Sequence, residues 1–162
     1  KWSDVDLANK IWTIKEAASK GDDMRKSKRM WKIHLTTPAI HILKAQPSYN
    51  KKRGLVFKNH NNKAIDGGYF GSNIISHLGF EGDTHGFRAT FQTWTQEHGV
   101  NQEVASLAMK HTNTDATRAA YARSQLFDER KTLLTAWSKY ATTGVDIPSA
   151  NVIPITKKRK AS

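Results

Sequence analysis

Thr84-His85-Gly86-Phe87-Arg88, Lys110-His111 and Arg118-Ala119-Ala120-Tyr121 are three islands within residues 84–121, and the rest of the chain reads as support for them. His85 and Arg88 are three residues apart, so on a helix they share a face, while Phe87, Phe91 and Trp94 fall at helical spacing on an apolar stripe. Thr84 or Asp83 can cap that helix, which would put His85 and Arg88 in its first turn. Free backbone N–H groups and the helix dipole favour an anion there, and a phosphate suits the place. A second helix is expected from near Gln102, with Val104, Leu107, Ala108 and His111 on one stripe, so that His111 emerges at its buried end. Tyr121 follows ten residues later.

A His-x-x-Arg pair, a second His and a Tyr ten positions on resembles the signature of the tyrosine recombinases, the phage-integrase family. Thr84-His85-Gly86-Phe87-Arg88-Ala89-Thr90 and Arg118-Ala119-Ala120-Tyr121 look like two boxes of integrases from prophages and genomic islands. The resemblance runs more loosely from Trp2-Ser3-Asp4-Val5-Asp6-Leu7 to the helix ending near Tyr140, most of the chain.

The resemblance implies roles for these residue types. Tyr121 would attack a DNA phosphodiester and keep the bond energy in a 3′-phosphotyrosyl link, so that rejoining needs no cofactor. Arg88 would offer its planar fork to the nonbridging oxygens of the five-coordinate transition state. His85 and His111 would hydrogen-bond the phosphate or move the tyrosine proton, since imidazole titrates near neutrality. A lysine on a β-hairpin would protonate the leaving 5′ oxygen. Lys26 matches best, with Lys28 or Lys20 as alternatives under another alignment. No metal is implied.

Taken singly, each of these residues has a duller reading. His85 could be a polar group at a helix start, Arg88 an ion-pair partner, His111 a satisfied histidine and Tyr121 a core residue. The constellation and its flanking words carry the weight.

Composition bounds the answer independently. The 162 residues suffice for one domain with a core, and 26 Lys plus Arg against 14 Asp plus Glu give a formal net charge of +12. That balance calls for a polyanionic partner: nucleic acid first, an anionic membrane surface second. No apolar run approaches membrane-spanning length and no signal peptide is legible, so no membrane role is expected. The absence of cysteine excludes disulfides and thiolate-bound zinc.

Lys10–Ile14 and Trp31–Leu35 alternate as strands that could pair antiparallel, with Arg25, Lys26, Lys28 and Arg29 in the excursion between them. Arg25, Lys28 and Arg29 are candidate DNA contacts; the plainer alternative is a solvated basic loop. Thr36-Thr37-Pro38 should open a helix with a hydroxyl cap and apolar Ile40, Ile42 and Leu43. A polar, basic loop from Gln46 to Gly54 follows, then a short buried strand at Leu55-Val56-Phe57, a turn at Asn59–Asn62, and a core helix from Tyr69 to Leu78. Leu126, Phe127, Leu133, Leu134, Trp137 and Tyr140 describe a last amphipathic helix.

The expected architecture is mainly α-helical with a small antiparallel sheet (α+β), similar to the tyrosine-recombinase catalytic domain. Trp2–Leu7 looks like the middle of a fold, so the chain reads as N-terminally truncated: residues 1–143 a truncated catalytic domain, 144–162 a flexible basic tail. The resemblance implies a further arginine and a DNA-clamping domain ahead of Lys1, without which this piece should be catalytically crippled. It also implies double-stranded attachment-site DNA as partner, homo-oligomers of the full-length protein on that DNA, and a bacterial cytoplasmic setting. Two rivals remain: a type IB topoisomerase or resolvase-like enzyme, and a non-catalytic basic DNA-binding module. A basic RNA-binding protein is a third, without an aromatic–glycine motif to support it.

Overall fold

The computed structural model describes residues 1–15, 30–51, 53–65, 77–79, 84–110 and 126–145, grouped in two compact units, Lys1–Ile65 and Asp66–Ser162. The described elements are a three-stranded antiparallel sheet and helices, an α+β composition.

In the first unit a 3-10 turn at Trp2–Asp4 leads into β1 (Val5–Asp6), β2 (Ile11–Lys15) and β3 (Met30–His34), ordered β1-β2-β3. The expected pairing of the two longer strands is present, with Ile11 opposite His34, Trp12 opposite Ile33 and Lys15 opposite Met30. Lys10 is not part of the strand; it sits at φ 56° in the turn that brings β1 onto β2. The short β1 carries no alternation that sequence could show. Asp6 fixes that turn, one carboxylate oxygen accepting from the Asn9 backbone N–H and the other from its amide, and these bonds hold the Asp6 carboxyl below its usual pKa.

α1 (Thr37–Lys44) starts after Thr36 with proline in its first turn, but the Thr36 hydroxyl makes no capping bond. Leu43 is buried and Ala39 and Ile40 pack on the same core, whereas Ile42 is exposed on the opposite side. That core joins Trp2, Leu35, Leu43 and Val56.

Leu55-Val56-Phe57 is not a strand. Val56 is buried, yet it is held in a loop: Ser48 Oγ donates to the Val56 carbonyl and accepts from Trp2 Nε1, both at 2.9 Å. Gly54, in the left-handed region at φ 74°, turns its carbonyl to the Trp2 N–H at 3.0 Å. Side-chain and loop bonds here do what a ladder would have done. Ser48→Ala removes a donor and an acceptor at once and should cost about 1–3 kcal/mol, read as a lowered denaturation midpoint. A midpoint unchanged from the parent would show these bonds to be incidental.

In the second unit, α2 (Thr84–Glu97), α3 (Gln102–Ala108) and α4 (Phe127–Thr143) enclose Phe91, Trp94, Val100, Val104, Ala105, Leu133 and Ala136. Asn101 caps α3, its side-chain oxygen accepting from the Glu103 N–H at 2.8 Å. The amphipathic helix expected after Leu126 is present as α4, closed by Gly144 at φ 66°, whose N–H reaches the Tyr140 carbonyl. The helix expected over 69–78 falls mostly outside the described residues; its last apolar member, Leu78, is exposed in a turn. Among the described residues no helix is long and apolar enough to cross a membrane.

Candidate functional site

Thr84 is the first helical residue of α2, so His85 lies in the opening turn and Arg88 at the start of the second, both exposed. They flank the buried stripe because that stripe belongs to Phe91 and Trp94. Trp94 is clamped by Trp137 at 5.3 Å and Tyr140 at 5.8 Å between ring centroids, and Phe91 meets Trp137 edge-on at 5.3 Å. Phe87 departs from expectation. It is on the correct side of α2 but 68% exposed, because the core of this unit begins one turn later, at Phe91.

The arginine island is joined to the second island. Arg88 Nη2 donates to the backbone carbonyl of Met109 at 2.7 Å, a bond spanning 21 residues. Met109 follows the last residue of α3, where carbonyls run out of intrahelical partners and cationic side chains are favoured. The guanidinium therefore sits at the C-terminal end of the helix that leads to His111.

That helix is shorter than expected. It ends at Ala108, Lys110 takes φ 56°, and the stripe of Val104, Leu107 and Ala108 is not continued as helix to His111. A lysine in the left-handed region redirects the chain immediately ahead of the histidine. His111, Tyr121, Lys26, Lys20, Arg25, Lys28 and Arg29 lie outside the described residues.

Two features of this unit were not read from the sequence. The Met109 carbonyl is a backbone group and leaves no signature. Arg130 does leave one: it occupies the apolar stripe of α4 between Leu126 and Leu133, and it is buried, its guanidinium 5.7 Å from the Phe127 ring centre. Burial pulls its pKa below the ordinary arginine value.

His85 and Arg88 are exposed on α2, and the Arg88 guanidinium is clasped to the end of α3. The model of the phage integrase family matches residues 1–126, and the chain belongs to that family. The matched span contains all three islands.

Among similar proteins, an integrase of Shigella phage Sf6 is 26% identical over 147 residues, 86% of this chain and 36% of that protein. The prophage integrase IntS of Escherichia coli strain K12 is 25% identical over 152 residues, 90% of this chain and 37% of that protein. The chain thus spans little more than a third of the length of these relatives. No solved structure matches it.

Proposed function

We propose that the full-length protein integrates and excises mobile DNA by tyrosine strand transfer, and that this chain contributes most of the catalytic set on a tyrosine-recombinase-like catalytic fold. Tyr121 Oη attacks the phosphorus of a phosphodiester while the bond to the 5′ oxygen breaks. The tyrosine proton passes to an imidazole, and the leaving oxygen takes a proton from Lys26. Arg88 and His85, with His111, hold the nonbridging oxygens, and Arg25, Lys28 and Arg29 contact neighbouring DNA. Rejoining is the same step reversed by the freed 5′ hydroxyl. The active form is a homo-oligomer on duplex attachment sites.

The observation that carries this reading is the 2.7 Å bond from Arg88 to the Met109 carbonyl. It ties the arginine box to the segment two residues ahead of the second histidine, and both boxes lie inside the family match.

The test uses full-length protein with a nicked, labelled attachment-site duplex. A denaturation-resistant adduct whose DNA-linked peptide contains Tyr121 is the expected product. Binding without any adduct across candidate sites would instead favour a non-catalytic DNA-binding module.

Arg88→Lys retains the charge but not the fork, and a single ammonium cannot both clasp the Met109 carbonyl and bracket two phosphate oxygens. Strand cleavage should slow by about 10²–10³-fold. Thermal stability should fall by about 0.5–1.5 kcal/mol for the exposed hydrogen bond to Met109. Cleavage at the parent rate would remove Arg88 from the proposed site.

A further inference from the structure

Eleven of the 26 Lys and Arg residues fall between Met24 and Ile65, and none of the 14 acidic residues does. Within the first unit, part of that acid-free stretch folds around a cleft of about 370 Å³. Lys51, Arg53 and Lys58 line it with Gln46, Asn59 and Asn62, and Val56 belongs to the same lining. The three cations are exposed, and the cleft's described lining includes no carboxylate.

One wall, the Asn59 turn, is held by bonds that use up its side-chain acceptor. Asn59 Oδ1 accepts from the backbone N–H groups of Asn61 and Lys63 at 3.0 and 2.9 Å, so the polar group Asn59 has left to offer is its NH₂ donor. The Asn59 N–H also donates to the Lys63 carbonyl, and Asn62 closes the turn at φ 59°. Across the cleft, Ser48 is consumed by Trp2 and Val56, and Gln46 Nε2 is tied to the Ile42 carbonyl at 3.0 Å. Three cations and an amide donor on a loop whose backbone is tied at both ends suit an anion.

The geometry points to this cleft as a seat for a non-scissile backbone phosphate of duplex DNA, a contact separate from the residues proposed for strand transfer. Among its described lining residues there is no imidazole or phenol, so the contribution assigned to it is to affinity and not to bond cleavage. The inference rests on the reading that duplex DNA is the polyanionic partner, and it does not depend on Tyr121 chemistry.

Each phosphate neutralised releases counterions, so binding through the cleft must appear in the salt dependence of affinity. In the full-length protein, Lys51→Gln, Arg53→Gln and Lys58→Gln combined should reduce the magnitude of the slope of log K against log salt by about one unit, the contribution of a single phosphate. The loss should be equal on attachment-site and unrelated duplexes, because phosphates carry no sequence. The cleavage rate at saturating DNA should be unchanged. A control with Lys44→Gln, Lys131→Gln and Lys139→Gln removes the same charge from exposed helix positions. An equal fall in that control would reduce the effect to net charge and overturn the assignment.

Unchanged slopes in the cleft variant would overturn it too. So would saturable binding of inorganic phosphate that the three substitutions abolish while duplex binding stays intact, which would make the cleft a small-anion site. Because slopes are read from binding alone, they remain informative with Tyr121→Phe protein and if no adduct forms, so failure here is distinguishable from failure of the strand-transfer reading.

Discussion

Tyr121→Phe in the full-length protein is expected to form no covalent complex with a nicked attachment-site duplex, while binding that duplex within about twofold of the parent protein. The substitution removes one oxygen and leaves the ring, so the loss is confined to the atom proposed to attack. In the proposed reading Arg88, His85 and the basic residues remain to hold DNA, since most protein–DNA affinity is electrostatic and independent of any one uncharged group. The comparison separates two failures. An adduct that persists would assign nucleophilic attack to another residue, whereas an adduct lost together with binding would indicate a packing role for Tyr121.

Trp94→Ala should cost about 3–5 kcal/mol, the range for emptying a large aromatic from a close-packed core. Trp94 is 3% exposed and stands at the centre of the second unit, with Trp137, Tyr140 and the His98 ring all within 6 Å of its centroid. His98 Nδ1 also lies 2.8 Å from the Trp94 carbonyl, so the stack is fastened by backbone as well as by ring contact. Urea unfolding followed by far-ultraviolet circular dichroism would register the change as an early transition of helical signal. Trp94→Phe should lose much less, because a ring still fills most of the space. An Ala variant as stable as the parent would mean that the α2–α4 contact is not what holds this unit together.

Legibility followed periodicity. α4 was readable because Leu133, Trp137 and Tyr140 repeat at helical spacing, and β2 and β3 because Trp12, Ile14, Trp31 and Ile33 alternate. Val56 was readable as buried but not as a loop, since apolar residues report burial and Ser48, which holds it, is eight residues away. Phe87 shows the same limit from the other side: spacing assigns the face of a helix, and only the partner's reach decides how far along that face burial extends. In the candidate site, the placement of His85 and Arg88 on one helix was legible from their spacing. Their neighbour, the Met109 carbonyl, was not, because every residue possesses one. The end of α3 at Ala108 was equally hidden, as a lysine at positive φ has no compositional mark.

The brevity of α3 bears on how such a protein tolerates change. Seven residues are too few to stay helical by themselves, so this segment borrows its order from the surfaces that Val104 and Ala105 press against. The point at which the chain departs toward His111 is thus inherited from the interior of the unit and is not written locally. Inheritance of that kind spreads sensitivity inward: substitutions at Leu133 or Ala136, remote in sequence from Arg88, bear on the same few ångströms of backbone, at the end of α3, that Arg88 clasps.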